Sequence, residues 1–163
     1  MIVEIYNSET RLDPFHELTH IVGRLLGDPP ALLNEGFAVY ASERLGSLPL
    51  RELGHPNRTI DQAVCDLSKA NELLPLDQLF GYTEIGTNES RPRVAYAQAA
   101  SVVKYLIDTT GLERFRQVYA QLRCSGEPRD VDVNRQDFER IVGLSVPAVE
   151  RGWRQALSCA AGQ

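Results

Sequence analysis

Apolar residues recur at helical spacing along most of this chain. Phe15, Leu18, Val22, Leu25 and Leu26 form one such series, the mark of a helix with a buried stripe. Asp13 suits an N-cap and Pro14 the first helical position. Gly27 and Asp28-Pro29-Pro30 stop the run, so the spacing predicts a helix over 14–26. A second helix is predicted over 31–45, ending near Gly46, and the short connection makes the pair antiparallel neighbours. Arg51 to Asn57, with Gly54 and Pro56, reads as a loop. Thr59 caps a helix over 60–71, Leu73-Leu74-Pro75-Leu76 breaks it, and 77–80 forms one short turn. Residues 81–92, GYTEIGTNESRP, are polar and read as the longest loop and the mobile element. Helices follow over 93–110, 112–123, 134–142 and 146–159, punctuated by Gly111, Gly126-Glu127-Pro128 and Gly143. Ile2-Val3-Glu4-Ile5-Tyr6 can make one strand. The pattern implies a mainly α fold in one domain, 1–163, with a helix pair at 13–46, a C-terminal helical part at 93–159 and at most one short N-terminal strand.

Chemistry concentrates in the first pair. Two of the three histidines lie in His16-Glu17-Leu18-Thr19-His20, and fifteen residues later comes Asn34-Glu35-Gly36. Imidazoles at i and i+4 on a helix lie about 40° apart around the axis and about 6 Å apart along it, so both can grip one ion. Catalytic zinc takes three protein ligands and keeps the fourth position for water. His16, His20 and Glu35 supply three, one Zn2+ per chain. Glu17 sits one step round the helix, where a carboxylate reaches coordinated water without ligating the metal. The plainer alternative is two surface histidines flanking a solvated glutamate, with Glu35 favouring the dipole of its own helix. Gly23 falls on the histidine face and either lets a second backbone approach or is a mild helix weakness.

His16-Glu17-x-x-His20 followed by Leu33-Asn34-Glu35-Gly36-Phe37-Ala38 resembles the gluzincin zinc metallopeptidases, the superfamily of thermolysin and the zinc aminopeptidases. More loosely, Ala95-Tyr96-Ala97-Gln98, Val103 to Ile107, Gly111-Leu112, Val142 to Ser145 and Trp153 are similar to the helical segments downstream of the zinc helices in smaller bacterial relatives. The resemblance implies a zincin-like zinc core packed on a helical bundle, with His16, His20 and Glu35 as ligands and Glu17 as general base. It also places a tyrosine at about the distance of Tyr96 from the glutamate ligand. Tyr96 is therefore the first candidate for stabilising the oxyanion, against a half-buried core tyrosine. Arg93 is a weaker candidate, His55 reads as a surface loop histidine, Asn34 as a helper of the ligands or a cap, and Trp153 as a core anchor. Peptide or protein is the implied substrate. The 14-residue spacer between His20 and Glu35 is shorter than in the aminopeptidases, and twelve residues before Asp13 leave no room for their substrate-binding sheet. Aminopeptidase activity is therefore not carried over. The alternatives are a minimal or truncated enzyme, one that borrows a sheet from another copy or a partner chain, and a zinc-binding but hydrolytically silent regulatory or interaction module.

Composition narrows the partners. A net charge of −5 argues against nucleic acid or an anionic membrane, and no apolar run approaches the ~20 residues of a membrane span. The start lacks a basic region followed by an apolar one, so it does not read as a signal peptide. Cys65, Cys124 and Cys159 are odd in number and far apart, which reads as reduced thiols and a cytoplasmic default, with a larger exported parent left open.

Overall fold

The computed structural model describes residues 13–157 and 159; the strand expected over 2–6 lies outside them. Among the described residues there are eight α-helices, and no strand: α1 Pro14–Gly23, α2 Ala31–Arg44, α3 Ile60–Lys69, α4 Leu76–Phe80, α5 Pro92–Thr110, α6 Leu112–Gln121, α7 Pro128–Val142 and α8 Val146–Ala156. The fold is mainly α, as the pattern implies.

Local chemistry sets most boundaries. Asp13 Oδ1 accepts the Phe15 amide at 3.0 Å ahead of Pro14, capping α1. Thr59 and Gln62 form a reciprocal capping box at the start of α3, satisfying two amides that a bare helix end leaves unpaired. Gly143, at φ 80°, ends α7 in the left-handed conformation that costs glycine least. α7 begins six residues earlier than the 134–142 expected. Its first turns, Pro128 to Val133, are polar or only partly covered, so no apolar period betrays them.

α5 is the axis of the molecule. α2, α3 and α6 all pack against it, and α1 packs on the outer side of α2. Ala95, Ala97, Ala99 and Ala100 are all buried on α5, and such small side chains let helix backbones come close. Gly36 exploits this on α2: a Cβ there would lie 2.6 Å from the Ala99 carbonyl oxygen and 2.8 Å from its carbon. Trp153 of α8 anchors the far side, fully buried with its indole N–H donating to Ser101 Oγ at 2.9 Å.

Breaks between helices are pinned by buried polar side chains. Gln98 accepts from the Leu74 amide at 2.9 Å and donates to its carbonyl at 2.8 Å. Asn134 does the same for Arg123, at 3.0 and 2.8 Å. His55, expected on the surface, is buried with Nε2 donating to the Arg93 carbonyl at 2.9 Å. Each satisfies backbone groups that burial would otherwise leave unpaired.

Three other expectations are corrected. The apolar series is not buried: on α1, which ends at Gly23 and not at 26, Leu18 is 51% exposed and Val22 54%, and Leu25 in the turn that follows is 85% exposed. α1 has one helix neighbour of note, α2, and it turns Thr19 and Gly23 inward instead. Cys65 and Cys159 form a disulfide across 94 residues, and only Cys124 is a free thiol. α3 and the chain beyond α8 are adjacent in space, a proximity that cysteine spacing does not encode, and the step from reduced thiols to a cytoplasmic setting loses its premise. The 81–92 stretch is held as well: Ile85 is buried, and the Ser90 hydroxyl donates to the Ile85 and Thr87 carbonyls.

Among the described residues, no helix is long and apolar enough to cross a membrane.

Candidate metal centre

α1 and α2 are joined by residues 24–30 and lie side by side. Leu25, Leu26 and Gly27 donate back to the carbonyls of Val22 and Gly23, reversing the chain, and Pro29 and Pro30 are buried where α2 starts. This tight turn brings Glu35, in the first turns of α2, against the histidine face of α1. Gly36 contributes directly, since its missing side chain sets how closely α2 beds on α5.

Three ligand atoms converge. His16 Nε2 and His20 Nε2 are 3.0 Å apart, and Glu35 Oε2 lies 3.2 Å from the first and 3.4 Å from the second. A tetrahedron with metal bonds of ~2.0–2.1 Å has edges of ~3.3–3.4 Å. The triangle is within a few tenths of an ångström of one face of that tetrahedron. The donor set, two imidazoles and a carboxylate, suits a divalent ion of intermediate softness. All three side chains are only about one-fifth exposed.

The surroundings fix the direction of His20. Its Nδ1–H donates to Asn34 Oδ1 at 3.1 Å, which turns Nε2 toward the triangle. Such a partner on the far ring nitrogen orients a ligating imidazole and raises its basicity. Asn34 thus holds the His20 imidazole and does not cap α2, whose N-cap is Pro30.

Charge is concentrated here. Burial pushes the Glu35 carboxyl up, but hydrogen bonds from His16 and His20 reverse this and hold it at about 2. The hydrogen bond with Glu35 raises His20 above the ordinary imidazole range, against burial, which lowers it.

Glu17 and Tyr96 flank the triangle. Two clefts of about 550 Å3 open along the histidine helix, one lined from its N-terminal end and one from its C-terminal end, and Glu17 lines both. The first also holds His16, Tyr96, Leu48, Leu53 and Arg51; the second holds His20, Glu35, Arg24 and Asp28. The Tyr96 ring centroid is 6.3 Å from that of His16. Burial, the Glu35 and Glu17 carboxylates and a hydrogen bond to Glu35 push the Tyr96 hydroxyl up to about 12, so it stays protonated and able to donate. Arg93 lies elsewhere, paired with Glu72 at 2.6 Å.

One neighbour escapes sequence reading. The Tyr119 hydroxyl on α6 donates to the same Asn34 Oδ1 at 2.9 Å. Gly23 makes room for it: a Cβ there would lie 2.5 Å from the Tyr119 oxygen. The close approach at Gly23 is by this side chain, not by the second backbone that the sequence suggested.

Comparison of the chain with protein-family models, with curated proteins and with solved structures finds no match.

Proposed function

We propose that this protein binds one zinc ion through His16, His20 and Glu35 and hydrolyses peptide bonds beside it. The observation that carries the reading is the convergence of three ligand atoms at 3.0–3.4 Å with a carboxylate one residue from a ligand, in the cleft that opens beside them. A bound zinc supplies a Lewis acid that polarises a carbonyl and acidifies water.

This chain's own residues supply the rest. Glu17 takes the proton of the attacking water and passes it to the leaving amine, the work of a general base that becomes a general acid. Tyr96, protonated and facing the same cleft, donates a hydrogen bond to the carbonyl oxygen as its charge grows. Glu17 lines both clefts, which would accept the chain on the two sides of the scissile bond. That arrangement favours cleavage within a peptide.

A second reading is a zinc-binding module without hydrolysis. It is favoured by one observation: among the described residues there is no strand edge to hold an extended peptide by backbone hydrogen bonds. Metal analysis and a peptide-library digest separate the two. One zinc per chain, lost in His16→Ala and Glu35→Ala, with cleavage abolished in a Glu17→Gln protein that keeps its zinc, supports the hydrolase. Zinc with no cleavage by the wild type supports the module. A wild type that takes up no zinc ends both.

A further inference from the structure

The metal triangle is built entirely on α1 and α2, yet one of its supports comes from α6. Asn34 Oδ1 accepts two hydrogen bonds, from His20 Nδ1 at 3.1 Å and from the Tyr119 hydroxyl at 2.9 Å. With only the first, the Asn34 amide could rotate about its terminal bond and offer its NH2 group to the imidazole. A donor cannot pair with Nδ1–H, so the proton would then sit on Nε2, the nitrogen that faces Glu35 and His16. The Tyr119 bond opposes that rotation: a flipped amide would turn the buried Tyr119 oxygen into an acceptor and take from its proton the acceptor it has in Asn34 Oδ1. The Tyr119 ring is itself immobilised, 2% exposed and packed edge-on against Phe37 at 5.7 Å and beside Phe115 at 6.0 Å. Gly23 completes the arrangement, since any larger residue there meets the hydroxyl.

We propose that Tyr119 is a positioning residue for the metal centre. Acting through Asn34, it locks His20 in the tautomer that presents Nε2 to the ion, and so ties metal affinity to the docking of α6. The inference rests on the zinc-site reading above and assigns Tyr119 no contact with metal or substrate.

The test uses the full chain and zinc itself. Zinc affinity is measured by competition with a chromophoric chelator, and the stability of the metal-free protein by thermal unfolding. Tyr119→Phe removes only the oxygen and keeps the ring in its aromatic cluster. Loss of such outer support costs ~10–100-fold in metal affinity, and an effect relayed through one amide belongs at the lower end, so a ~10-fold loss is expected with the metal-free melting temperature essentially unchanged. Gly23→Ala, which pushes the hydroxyl off Asn34, is expected to lower affinity similarly. In the Tyr119→Phe background it is expected to add little, because the clashing atom is gone. The visible spectrum of the Co2+-loaded protein is expected to change in each single variant. Wild-type zinc affinity and an unchanged cobalt spectrum in Tyr119→Phe would overturn the proposal, as would fully additive losses in the double variant. If the wild type binds no zinc, the metal-site reading fails first, and this inference with it; if it binds zinc and Tyr119→Phe is silent, this inference alone fails.

Discussion

The charge pairing at the triangle makes a quantitative demand on the metal-free protein. Glu35 titrates at about 2 in the fold against 4.5 for the free side chain, because the His16 and His20 hydrogen bonds outweigh the opposing cost of burial. Each unit is ~1.4 kcal/mol, so the carboxylate contributes on the order of 3 kcal/mol to stability. The folded value is depressed, so this contribution is present above about pH 4.5 and is lost as pH falls toward 2. Linkage gives about 3 kcal/mol at pH 5.5 and about 1 kcal/mol at pH 3. His20 is shifted the opposite way: its contribution is complete below about 6.5 and is lost as pH rises through its raised folded value. The pairing is thus strongest between about pH 4.5 and 6.5. Glu35→Gln removes the acid arm and keeps the shape. Urea unfolding of the two metal-free proteins at about pH 5.5 and pH 3 should show the wild type losing ~2 kcal/mol more than the variant. Parallel acid losses would mean that the imidazoles do not hold Glu35 as described. Above neutrality, zinc should restore to the wild type what His20 deprotonation removes, and should do so poorly in Glu35→Gln.

Other perturbations test the frame around the site. Gly36→Ala drives a Cβ to 2.6 Å from the Ala99 carbonyl oxygen and should cost ~1–3 kcal/mol, read by denaturant unfolding, together with most of the zinc affinity. Ser101→Ala leaves the buried Trp153 N–H without its acceptor and should cost ~1–3 kcal/mol, with a shift in tryptophan emission. Alkylation of the unfolded, unreduced protein should label Cys124 alone, and reduction should expose Cys65 and Cys159. Opening a loop of 94 residues should lower stability by up to ~5 kcal/mol in the chain-entropy account.

The cluster of His16, His20 and Glu35 was legible because it is local. Once Asp13, Pro14 and the following residues commit to a helix, His16 and His20 must share a face, and the short turn before α2 leaves Glu35 little choice of neighbour. Helix starts were legible where a cap or a proline marks them, at Asp13-Pro14 and Thr59. Which face of α1 is covered was not, because an apolar stripe states only what would gain from burial and not what lies within reach to bury it. Leu18, Val22 and Leu25 stay exposed among the described residues, while the face with His16 and His20 turns to α2. His55 was misread for the same reason: its partner, the Arg93 carbonyl, is 38 residues away.

The sequence by itself determined the helices, their order and the two-histidine, one-glutamate constellation, all products of hydrogen bonds and spacings within a few turns of chain. The tertiary structure alone decided the rest. It set the 3.0–3.4 Å triangle, the tyrosine that reaches Asn34 across 85 residues and the cysteine pair joined across 94. Those contacts form only when α5 gathers the other helices around it, since packing, not local preference, chooses partners distant along the chain.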